Sequence, residues 1–93
     1  MREVSGSWLF SLQKIDREKQ LRISFVVDYP AHVLLRLLNS VDEEVKVLID
    51  EKLRQGEYVM TFEFDHLQPA SYKIRLIIET DKAIDKETKI IQL

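Results

Sequence analysis

From residue 21 onward, apolar and polar positions alternate in short runs, at 21–27, 33–38, 45–49, 57–64, 72–78 and 89–93. Strict alternation buries one face of a β-strand and wets the other. Strands recurring at a spacing of roughly ten residues predict an antiparallel sandwich or barrel. Trp8, Phe10 and Leu12 also alternate and add an opening strand, followed by a polar connection over 15–20. Four inward rows follow from the pattern. They are Leu21, Ile23, Phe25 and Val27; Val33, Leu35 and Leu37; Tyr58, Met60, Phe62 and Phe64; and Tyr72, Ile74, Leu76 and Ile78.

Turn chemistry separates the runs. Pro30 and Pro69 stand between strands, where a fixed φ helps and a missing N–H costs nothing. Gly56 can supply a positive φ before the 57–64 run. Asn39-Ser40-Val41-Asp42 suits a hairpin turn, and the mixed-charge stretch 80–86 is expected to form the last loop. Segment 42–53 is ambiguous. Its Glu, Lys and Leu favour a helix, whereas Val45, Val47 and Ile49 fit the strand period and are β-branched. The strand reading is preferred.

Composition narrows the possibilities. Ninety-three residues make one domain, 1–93, with 45% hydrophobic and 32% charged residues. The net charge of -2, with lysines and arginines scattered among acids, offers no electrostatic footprint for nucleic acid. The lack of cysteine excludes disulfide scaffolds, thiolate metal sites and thiol nucleophiles. No apolar run is long enough to span a bilayer as a helix, and residues 1–12 lack the pattern of a signal peptide. If the chain starts naturally at Met1, a cytoplasmic location is expected.

The order Pro30-x-x-Val33-x-Leu35-x-Leu37-x-Asn39, Glu44-Val45-x-x-Leu48-x-Asp50-Glu51, Gln55-Gly56-Glu57-Tyr58, Phe62, Leu67 and Tyr72-x-x-x-Leu76 resembles the immunoglobulin-like domain of the bacterial flagellar hook-capping protein. It is also similar to the C-terminal sorting domain of type IX secretion cargo. The likeness covers residues 21–93, with residues 1–20 as a strand and connection ahead of it. Where the family often carries glycine, this chain has Asp42-Glu43 and Ala70. The resemblance implies an all-β, immunoglobulin-like antiparallel sandwich of about seven strands, interaction or sorting duties, and no catalytic residue.

The residues themselves carry little reaction chemistry. His32 and His66 both fall beside turns, and a metal site needs three or four convergent ligands. Ser71, His66 and Asp65 lack the setting of a nucleophile elbow. Asp42-Glu43-Glu44 and Asp50-Glu51 read as solvated turn charges. Asp81 and Asp85 are interrupted by lysines and an isoleucine, and no glycine provides the bend of a calcium loop. Two glycines cannot build a phosphate-cradling loop. No enzyme activity, cofactor or metal is therefore expected. Trp8, Tyr29 and Phe10 could stack a sugar or small ligand, which makes a carbohydrate-binding module the alternative reading.

The remaining signal is apolar. With Val33, Leu35 and Leu37 inward, Leu34 and Leu38 are expected to point outward, as are Val26, Leu48, Val59 and Ile77. A contiguous outward patch marks a protein contact. Either such a patch exists, or the N-terminal strand with Trp8 and Phe10 covers it. The expected function is a non-enzymatic protein-interaction or structural module. It would act through an exposed sheet face or an edge strand, with Leu34, Leu38, Leu48 and Ile77 as the contact residues, and self-association is one form this could take.

Overall fold

The computed structural model describes residues 10–93. Trp8 therefore lies outside the described residues, while the rest of the opening strand is present. Seven strands follow one another: β1 (Phe10–Ile15), β2 (Gln20–Val27), β3 (Ala31–Asn39), β4 (Glu44–Leu53), β5 (Gly56–Glu63), β6 (Ser71–Glu79) and β7 (Ile84–Gln92). They form two antiparallel sheets, β1-β2-β5 and β4-β3-β6-β7, which pack as a β-sandwich. The ambiguous segment 42–53 is thus strand from Glu44 onward. No helix among the described residues is long and apolar enough to cross a membrane.

All four inward rows meet between the layers. Leu21, Ile23, Phe25 and Val27 of β2 face Val33, Leu35 and Leu37 of β3 and Tyr72, Ile74, Leu76 and Ile78 of β6 across a single core. Phe62 and Phe64 complete it, and Tyr58 and Met60 pack at its margin. Burying each large side chain contributes roughly 1.5–3 kcal/mol before conformational entropy is subtracted. Phe10 also enters this core, opposite Phe25 on β2, and so covers no outer surface.

The turns are locally determined. Asn39 Oδ1 accepts the backbone N–H groups of Val41 and Glu43, and its Nδ2 donates to Glu43 Oε1 at 2.9 Å. This lets Asp42 hold φ = 67°, a left-handed conformation that aspartate tolerates better than most residues. Gly56 opens β5 at φ = 157°, where side-chain-bearing residues are rare. Two tyrosines then brace strand entries. Tyr58 donates its hydroxyl to the Arg54 carbonyl and Tyr72 donates to the Gln68 carbonyl, each at 2.7 Å.

Two boundaries differ from the sequence reading. β7 starts at Ile84, not at 89, so the last loop is short. Its inward row is charged (Asp85, Glu87, Lys89), which hides the strand in a sequence pattern. β4 extends through Leu53 and contains irregularities. Leu35 pairs with Ile49 while Arg36 pairs with Val47, so Leu48 is an extra residue; a second shift leaves Val45 unpaired near Leu38. Such bulges bend and twist a strand.

Candidate functional site

The register of β3 defines the outer face of the four-stranded sheet. Leu34 lies between Asp50 on β4 and Ile77 on β6, Arg36 between Val47 and Arg75, and His32 between Lys52 and Glu79. The pairing of β6 with β7 continues the rows: Ile77 with Lys86, Arg75 with Thr88, Lys73 with Ile90 and Glu79 with Ile84. Leu34 and Ile77 are direct cross-strand neighbours, partly buried and outside the interlayer core. Ile84 is 62% exposed and Ile90 72% exposed on the same face. A diagonal apolar stripe therefore runs from Ile84 through Ile77 to Leu34.

Polar groups frame the stripe. At one end, His32 Nε2 lies 2.6 Å from Asp50 Oδ1. At the other, Arg75 Nε donates to Thr88 Oγ1 at 2.9 Å, and Arg36 reaches Glu44 Oε1 at 3.4 Å. Lys73 Nζ donates to Asp42 Oδ1 at 2.8 Å, with Arg75 3.7 Å from the same oxygen. The Lys73 hydrogen bond is the main cause that holds the Asp42 carboxyl below its ordinary range. The charges of Lys73 and Arg75 add to the effect, and partial loss of water opposes it.

Of the four expected contact residues, two lie on this face as half-buried parts of the stripe, Leu34 and Ile77. Leu38 is only 1% exposed. Its cross-strand neighbours are Glu44 and Lys73, and the Lys73 ammonium is held by Asp42 in the adjoining turn. Long side chains at such cross-strand positions can cover an apolar neighbour with their stems. Leu48 packs against the core, because the β4 bulge turns it with Ile49 toward the interior side. Val26 and Val59 are exposed as expected, but on the outer face of the other sheet. Ile84 was missed because the stretch around it reads as loop.

The catalytic and metal possibilities are not assembled. His32 bonds Asp50, whereas His66 sits by a turn, edge-on to Phe62, with Asp65 3.6 Å away. Ser71 Oγ donates to Gln92 Oε1, not to a histidine. Among the described residues no three His, Cys, Asp or Glu side chains converge as metal ligands would. Two of the open hollows among the described residues adjoin His66 and Tyr29. One, about 530 Å³, lies between the β4 and β5 edges and is lined by Gln20, Lys46, Leu48, Met60, Glu63 and His66. The other, about 540 Å³, joins Tyr29 and Pro30 to Thr80, Asp81 and Asp85. No model of a known protein family matches the chain, and no curated protein matches it.

Proposed function

We propose that this protein is a non-catalytic interaction module of immunoglobulin-like type that docks a protein partner on the outer face of its four-stranded sheet. The observation that carries the reading is the cross-strand pair Leu34–Ile77, outside the core and continued by the exposed Ile84. Partner binding would remove this apolar surface from water, at about 25 cal/mol per Å² before the costs of association. The framing ion pairs would form the polar rim of such an interface. The immunoglobulin-like assignment is supported by the Tyr72 hydroxyl bonded back to Gln68 at the start of β6, the position of a tyrosine corner. Here β4 pairs with β3, whereas in constant-type domains the fourth strand joins the first sheet.

The test uses the double variant Leu34→Glu/Ile77→Glu. It is expected to fold, by circular dichroism, and to lose the partner that the immobilised wild type retains from extract of its source cells. Retention of the same partner by the variant, or no partner for the wild type, refutes the reading. Tyr29, 73% exposed beside its hollow, favours a second reading as a small-ligand or carbohydrate module. That reading predicts saturable quenching of intrinsic fluorescence across a sugar panel, lost in Tyr29→Ala.

A further inference from the structure

The edge strand β7 carries a self-complementary charge pattern. Among the described residues it pairs only with β6, and its register runs without a shift from Ser71↔Gln92 to Glu79↔Ile84. Its core-facing row is Asp85, Glu87, Lys89 and Ile91. Glu87 is 8% exposed, yet its Oε1 has no hydrogen-bond partner among the described residues. Its Oε2 reaches Lys89 Nζ only at 3.7 Å. A buried carboxylate oxygen without a partner is costly, and this one lies on an edge strand that, among the described residues, is paired along one flank only.

We propose that two copies of this chain pair antiparallel along β7, with Thr88 on the two-fold axis. That register sets Glu87 of each copy opposite Lys89 of the other, and Lys86 opposite Ile90. A two-fold axis perpendicular to the sheet keeps both cores on the same side. The Glu87–Lys89 pair is thus formed twice, and the orphan oxygen gains an ammonium donor. Neighbouring registers that keep the same faces are worse. Centring on Glu87 or on Lys89 sets like charges opposite each other, and centring on Lys86 opposes Glu87 to Asp85. The product is one continuous eight-stranded sheet.

Two of the other edges, β4 and β5, lack this match. β4 is bulged, and on β5 the same symmetry centred on Met60 would set Glu57 opposite Glu63. The proposal is independent of the docking face, because edge pairing leaves the outer surface open.

Sedimentation equilibrium of the full chain is expected to give the mass of two chains. Glu87→Lys and Lys89→Glu are each expected to raise the dimer Kd by about tenfold or more, since each replaces two attractive cross-strand pairs with two repulsive ones. The double exchange Glu87→Lys/Lys89→Glu restores the match and is expected to return the Kd toward wild type. A second arm does not depend on these charges. The chain has no cysteine, so Thr88→Cys is expected to form a disulfide-linked dimer on mild oxidation, whereas Lys86→Cys, displaced from the axis, is not. A wild type that stays monomeric at millimolar concentration overturns the proposal. So does a double exchange no tighter than the single variants, or cross-linking of Lys86→Cys as readily as Thr88→Cys.

Discussion

Tyr58 and Tyr72 offer a matched pair of perturbations. Each lies near the start of a strand, and each donates its hydroxyl over 2.7 Å to the carbonyl four residues upstream. Replacement by phenylalanine keeps the ring and removes only the donor. The two sites differ in access to water. The Tyr72 bond is partly buried, and its ring belongs to the core; the Tyr58 bond is exposed. A net hydrogen bond contributes about 0.5–1.5 kcal/mol, and more is lost when the remaining partner stays shielded. Tyr72→Phe is therefore expected to cost about 1–1.5 kcal/mol. Tyr58→Phe should cost about 0.5 kcal/mol or less, because water replaces the donor at the Arg54 carbonyl. For a domain of this size, each kcal/mol lowers Tm by about 4–8 °C. Equilibrium urea unfolding followed by far-ultraviolet circular dichroism measures both, with the m-value unchanged. If Tyr58→Phe costs as much as Tyr72→Phe, burial does not set the strength of these bonds and the reasoning fails.

Leu38→Glu is expected to destabilise by more than about 2 kcal/mol, because it places a carboxylate at a closed site, whereas Leu34→Glu on the same strand costs less. Thermal melts check the order, and equal costs would show that Leu38 is open to solvent. The lowered Asp42 pKa means that its ionised form stabilises the fold above the ordinary aspartate range and that this contribution fades as pH falls through it. The stability gap between wild type and Asp42→Asn should thus be widest near neutrality and shrink in acid; a gap that grows on acidification refutes the sign.

Alternation made the centre of the sandwich legible. β2, β3 and β6 are covered on their inner face by unbroken rows of Leu, Ile, Val and Phe, so period-two reading recovers both the strands and their inward residues. It faltered where an edge strand relaxes the rule. β7 turns Asp85, Glu87 and Lys89 toward the core side, so neither face looks apolar. Bulges are equally silent in sequence, since one extra residue reverses the facing of whatever follows it. That explains Leu48, which an unbroken count aims at solvent. Leu38 shares a face with Lys73 and Glu44, yet it is buried, and period-two counting carries no signal for that. The Leu34–Ile77 pair needed only the strand phase, and Ile84 needed the true start of β7.

β4 is ten residues long and contains no fully buried position; Leu48, Ile49 and Leu53 are its only side chains packed on the core. It is hydrogen-bonded along one flank, and its bulges interrupt even that ladder. Peeling it away forfeits less buried apolar surface than releasing β3, so local opening is expected to cost less at β4 than at β3. Each such excursion bares the flank of β3 while the remaining layers stay assembled. Backbone amides of β4 are therefore expected to exchange with solvent sooner than those of β3, which hydrogen exchange would read directly.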